Sequence, residues 1–246
     1  MSVSATLNDL HYEDGVFYPS GDGLPMAETP IHVKAMFWMM QALETWLRPR
    51  RDDAYIGVDM FWYWEKGNPR ACCAPDVFAA FGVTDPEADR NSFMSWRENG
   101  SIPAVIFEMA SRKTWKENLT SKRDKYRQLK VKEYFIFDPN WQFLDSQVIG
   151  YRLVNGRYRR VVADREGRWE SQQLGVWLVP EGPMLRLVDP ETDLPVLTEK
   201  ERAEAAKAGQ MALKERAESA EAGQAALAKE NARLRALLRN QKSPPK

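Results

Sequence analysis

The sequence predicts an α/β domain, a central mixed sheet flanked by helices, followed by a long C-terminal helix of heptad character. Three observations carry this reading. Two short apolar runs, AVIF at 104–107 and YFIF at 134–137, flank a polar stretch of helical character at 118–130, which is the pattern of a β-α-β unit. Residues 141–188 alternate in polarity and carry frequent turn residues, as antiparallel strands do. From Thr198 to Gln241 the chain is rich in Ala, Glu, Lys, Arg, Gln and Leu and has no Pro. Ala206, Leu213, Ala220, Leu227 and Leu234 recur there every seven residues.

The elements follow in order. Residues 1–25 are polar and punctuated by Gly and Pro, and read as an N-terminal arm. A core domain is assigned to 26–192 and the coiled-coil helix with its tail to 193–246. Thr29 is an N-cap and Pro30 occupies the favoured first position of a helix that runs to about Leu47, apolar on nearly every side. Residues 54–64 (AYIGVDMFWYW) have strand composition, and 74–83 form a second strand opened by Pro75-Asp76. The Asn155-Gly156 pair between YRLV and RYRRVV marks a two-residue hairpin. In the heptad helix the companion seam (Ala203, Gln210, Ala217, Gln224, Asn231, Leu238) is broken by polar residues. That pattern suits a weak coiled coil of fixed register, or a single solvated helix lying on the domain.

Composition narrows the function. Lys+Arg and Asp+Glu are both 35, so the chain is not a globally basic nucleic-acid binder, though a local basic patch stays open. Nine Trp indicate a core or interface rich in large rings. Cys72 and Cys73 are adjacent, a poor spacing for a mutual disulfide, and His11 and His32 are the only histidines, so no zinc motif is formed. Free thiols, no apolar run of about 18 residues and no signal-peptide pattern point to a cytoplasmic protein off the membrane.

Chemistry is expected where acids interrupt the apolar strands. Asp76 opens one strand and Glu108 ends another. If these strands are neighbours, their carboxylates converge at one sheet edge and make a hard oxygen site suited to Mg²⁺. Such an ion lowers the pKa of a bound water and neutralises phosphoryl charge. A lysine nearby would stabilise developing charge. Lys113, Lys116, Lys122 and Lys125 all lie close after Glu108. From spacing alone, strand-end carboxylates are more often solvated caps or salt-bridge partners.

Pro75-Asp76-Val77, then Glu108-Met109-Ala110-Ser111, then Lys122 and Tyr126, then VKEYFIFDP at 131–139 resemble, in this order, the Uma family of bacterial restriction endonucleases, in the PD-(D/E)XK nuclease superfamily. Residues 22–32 (DGLPMAETPIH) resemble that family's entry into its first helix. The resemblance implies a restriction-endonuclease-like core, with Asp76 and Glu108 as metal ligands and Lys122 as the catalytic lysine brought in from the following helix. Ala110 stands where the superfamily usually has that lysine, and Asn118 where the family often has an aspartate. Glu28 is a further acid that could approach from the first helix. The resemblance implies a Mg²⁺- or Mn²⁺-dependent endonuclease that hydrolyses phosphodiester bonds in DNA, and the heptad pattern predicts that the C-terminal helix joins copies of the chain as a homodimer or homo-oligomer. The alternative is a catalytically silent nuclease-like module that binds nucleic acid or a protein partner.

Overall fold

The computed structural model describes residues 12–20 and 29–241, with side chains through residue 235. The strands begin with the hairpin β1 (Tyr12–Glu13) and β2 (Val16–Phe17). Helix α1 (Pro30–Leu47) follows, then β3 (Ala54–Val58), β4 (Trp62–Tyr63), β5 (Cys72–Cys73), β6 (Val77–Phe81), β7 (Phe93–Met94) and β8 (Pro103–Met109). Next comes a helical stretch made of α2 (Trp115–Glu117), a π-helical turn (Asn118–Lys122) and α3 (Arg123–Gln128). The chain continues with β9 (Glu133–Phe137), β10 (Val148–Val154), β11 (Arg157–Val161), β12 (Trp169–Ser171), β13 (Val176–Glu181) and β14 (Met184–Val188), and then α4 (Glu199–Gln241).

The central sheet has the order β11-β10-β9-β8-β6-β3. Only β8 and β9 pair in parallel, across the β-α-β unit that the two apolar runs announce. Both strands are buried along their whole length, as their continuous apolar composition requires. Asn155 and Gly156, at φ 51° and 75°, form the hairpin turn that joins β10 to β11. The sheet carries a core on each face. One core holds Met36, Met39, Leu43 and Leu47 of α1 against Val105, Phe107 and Phe135, and takes in Val176, Leu178, Leu185 and Leu187 of the small β12-β13-β14 sheet. The other buries Ile106, Tyr134, Ile136 and Phe78 under Tyr126 of α3.

Local chemistry explains several elements. Thr29 caps α1 by accepting a hydrogen bond from the His32 N–H at 3.4 Å, and Pro30 is its first residue. Trp46 donates its indole N–H to the Leu174 carbonyl at 2.8 Å, which ties the helix to the small sheet. Glu133 is fully buried and accepts from Arg152, the Ser171 hydroxyl and the main-chain N–H groups of Gln172 and Gln173, so one carboxylate joins β9, β10 and β12. Asp138 is also fully buried and accepts main-chain N–H bonds from Asn140, Phe143 and Leu144. It shapes the turn after β9.

Three expectations change. The strand read over 54–64 breaks at Asp59, whose φ of 42° turns the chain; β4 belongs to a separate small sheet with β5 and β7. Helix α1 is buried on one side only, since Phe37 is half exposed. The lead-in before residue 20 contains a hairpin, and Tyr18 beside it is fully buried with Tyr63 and Met94. A first compact unit runs through Thr198, and α4 forms a second. At 43 residues α4 is about 65 Å long. Its Met211, Leu213, Leu227 and Leu234 are all exposed.

Candidate active site

Strands β6 and β8 are antiparallel neighbours, with Val77 opposite Phe107. Asp76 and Glu108 are therefore the next residues along at the same sheet edge, which is the convergence anticipated from the sequence. Glu108 lies in the middle of an otherwise apolar strand and is 1% exposed. Strand alternation turns its side chain toward the face covered by α3 rather than the face covered by α1.

Each oxygen of Glu108 has a donor. Lys122 places Nζ 2.7 Å from Oε2, and the Tyr126 hydroxyl donates to Oε1 at 2.6 Å. Lys122 ends the π-helical turn and Tyr126 sits one turn further on; π turns inside helices frequently mark functional sites. Of the four lysines considered from the sequence, only Lys122 is shown in contact with Glu108. Lys113, Lys116 and Lys125 are exposed. Asn118, at the start of the π turn, is fully buried; its carbonyl accepts from the Tyr134 hydroxyl, while its side-chain amide has no hydrogen-bond partner among the described residues.

Asp76 is held from two sides. Its Oδ2 accepts the Met109 main-chain N–H at 2.6 Å, and His32 Nε2 stands 3.4 Å from the same oxygen. His32 is 3% exposed and arrives from the first turn of α1, so three elements meet at this carboxylate. The sequence gives no signal of the place of His32 beside Asp76. The contact depends on how α1 packs across the sheet edge. Glu28 and the rest of residues 21–28 lie outside the described residues.

The charges are strongly coupled. Burial pushes the Glu108 carboxyl up, with the Asp76 charge adding to the rise and Lys122 and Tyr126 opposing it. Burial acts against the Lys122 ammonium, but Glu108 and Asp76 outweigh it and raise its pKa. Only an ionised Glu108 can hold the Lys122 proton in this way. The 2.7 Å ammonium contact decides for a paired carboxylate whose pKa stands above the ordinary range. Cys73 lies in the same electrostatic environment, and burial pushes its thiol up to about 12, so it is a protonated neighbour and not a nucleophile.

The donor set is compatible with Mg²⁺. No group of three or more His, Cys, Asp and Glu side chains able to hold a metal occurs among the described residues. Mg²⁺, however, is commonly held by one or two carboxylates, with waters and substrate phosphates completing its shell. Asp76 and Glu108 supply two hard carboxylates at the ends of adjacent strands, and Lys122 supplies a positive charge on Glu108.

The family model that matches this chain is Uma2, described as "Putative restriction endonuclease", over residues 9–180. No curated protein matches. Among solved structures, one described as a "putative nuclease belonging to DUF820" from Anabaena variabilis ATCC 29413 is similar at 14% identity, with a TM-score of 0.44, over 66% of this chain and 81% of that one. Because the family match extends over more than two thirds of the sequence, from ahead of β1 into β13, the chain belongs to the Uma2 family.

Proposed function

We propose that this protein is a Mg²⁺-dependent endonuclease that hydrolyses phosphodiester bonds in DNA, with Asp76 and Glu108 as metal ligands and Lys122 as the catalytic cation. The observation that carries this reading is the meeting of two carboxylates and one lysine at a single sheet edge, with Lys122 2.7 Å from a Glu108 that is otherwise sealed from solvent. Family membership supports it. When bound, the ion would lower the pKa of a coordinated water and offset charge on the phosphoryl group; Mn²⁺ would substitute.

The remaining roles belong to the chain. Tyr126 fixes Glu108 by its hydroxyl, and the Met109 N–H with His32 fixes Asp76, so both carboxylates are held in place before substrate arrives. Lys122 is 21% exposed at its side chain and reaches the site from the solvent side. Released from Glu108, its ammonium is placed to meet the charge that develops on the scissile phosphate.

One observation favours a second reading. The Lys122 ammonium satisfies Glu108 directly, and a lysine that keeps this place in solution would make the domain a silent nuclease-like module that binds nucleic acid or a protein partner. A plasmid-nicking assay separates the two. Nicking by wild type in Mg²⁺ or Mn²⁺, abolished by EDTA and by Asp76→Asn, supports the enzyme. Intact plasmid under all conditions leaves the binding module.

A further inference from the structure

Positive charge is concentrated beside this site although the chain as a whole is neutral. Residues 112–132, which contain the α2–α3 helical stretch, hold nine Lys and Arg against two acids, Glu117 and Asp124. Strand β11 adds three arginines. Alternation divides these three. Arg160 lies on the α3 face with Tyr158, whereas Arg157 and Arg159 lie on the opposite face with Val161.

On the α3 face two guanidinium groups gather over one ring. Arg160 places Cζ 5.4 Å and Arg123 places Cζ 5.9 Å from the centroid of Tyr151. Arg160 also donates to the Tyr151 hydroxyl at 3.5 Å. Asp124 pairs with Arg123 at 3.1 Å, and Arg160 makes no ion pair among the described residues. Beneath them Tyr151, Tyr158 and Tyr134 stack at centroid separations of 5.8–6.4 Å, a rigid floor continued by Tyr126, which bonds Glu108. Two like charges held over one ring, with one half-exposed carboxylate on Arg123 alone, form a site that an anion would complete.

We infer that this surface, centred on Arg123 and Arg160 over Tyr151, is a phosphate clamp that holds the backbone of the nucleic acid away from the cleavage point. The inference rests on the proposed nuclease reading and deepens it. Arg160, Tyr151, Tyr134 and Ile106 are successive partners across four strands, and Ile106 lies two residues before Glu108. Three strand spacings and two residues of strand place the Arg160 end of the clamp roughly 16 Å from Glu108. Arg123 directly follows Lys122, so the backbone track and the reacting centre share the π-helical turn.

The test is equilibrium binding of a fluorescent duplex, followed by anisotropy in EDTA from about 50 to 200 mM salt. Wild type is compared with Arg123→Gln/Arg160→Gln, with the charge-preserving Arg123→Lys/Arg160→Lys, and with Arg157→Gln/Arg159→Gln on the opposite face; thermal melts establish that each is folded. The first Gln pair is expected to reduce the slope of log K against log salt by about 2, equally for unrelated sequences. The Lys pair and the opposite-face pair are expected to keep the wild-type slope. An unchanged slope in the first pair, or an equal loss in the opposite-face pair, overturns the clamp, and it leaves the nuclease reading standing if plasmid is nicked. Absence of binding by wild type overturns the clamp, and together with intact plasmid in Mg²⁺ and Mn²⁺ it overturns the nuclease reading as well. Clamp-dependent binding without metal-dependent nicking supports the clamp and removes the hydrolytic reading.

Discussion

Replacing Lys122 with Met tests whether the ammonium is what allows a carboxylate to sit inside strand β8. The substitution keeps most of the side-chain volume and removes the charge 2.7 Å from Glu108 Oε2. Glu108 then has only the Tyr126 hydroxyl, at 1% exposure. Breaking a buried pair from one side typically costs about 3–5 kcal/mol. Here protonation sets a ceiling. Neutralising at pH 7 a carboxyl whose ordinary pKa is 4.5 costs about 3.4 kcal/mol, at 1.36 kcal/mol per pH unit. The expected loss at pH 7 is therefore about 2–3 kcal/mol. Its pH dependence is the sharper signature. Burial raises the folded-state pKa of Glu108, and without Lys122 nothing but Tyr126 opposes that rise. Above pH 4.5 and below the raised pKa, the native variant holds a proton that its unfolded chain has released, so its stability falls as pH rises through this window. Wild-type Glu108 is raised as well, so the two proteins run nearly parallel until that carboxyl ionises; urea unfolding at pH 5, 6, 7 and 8 should show the gap widening toward the alkaline end by as much as ~1.4 kcal/mol per unit. A loss that is the same at every pH, or one below about 0.5 kcal/mol as for an ordinary surface substitution, would refute the buried pairing.

Other perturbations follow from the same structure. Glu133→Ala removes the acceptor of Arg152, Ser171 and two main-chain N–H groups, and should lower stability by about 3 kcal/mol or more in thermal melts while leaving metal binding by the folded protein intact. Gly57→Ala would drive a Cβ into the ring of Phe78, with an expected loss of about 1–3 kcal/mol that Gly57→Ala/Phe78→Leu partly restores. If α4 joins two chains as its heptads predict, its removal after Thr198 will turn a dimer into a monomer in light scattering; Leu213, Leu227 and Leu234 are exposed within one chain. A full-length chain that is already monomeric would exclude the coiled coil.

Much of this architecture is legible in the amino-acid sequence. The runs at 104–107 and 134–137 are fully apolar because β8 and β9 are covered on both faces, and that burial is what makes them visible in sequence. Thr29-Pro30 and Asn155-Gly156 declare a helix start and a hairpin through local chemistry alone. The break at Asp59 is hidden, because residues 54–64 keep strand composition on both sides of one positive φ. The place of Asp76 and Glu108 on neighbouring strands is suggested by their spacing relative to the strands, but the choice of Lys122 over Lys125 depends on the π turn, which no local propensity reveals. His32 is the residue missed. It reaches Asp76 through tertiary packing between elements 44 positions apart, and nothing in its immediate neighbours signals that. The division of Arg160 from Arg157 and Arg159 is legible in principle from strand alternation, once β11 is given its sheet and its covered face.

Metal binding by Asp76 and Glu108 is the most direct point of test. Mg²⁺ and Mn²⁺ are titrated calorimetrically into wild type and into Asp76→Ala, each verified as folded. Saturable heat in wild type that vanishes in the variant is the expected result, and it places the ion at the edge where β6 and β8 meet. Equal heats from the two proteins, or none from either, would contradict the metal-dependent reading and leave Lys122 as the permanent counter-ion of a silent domain.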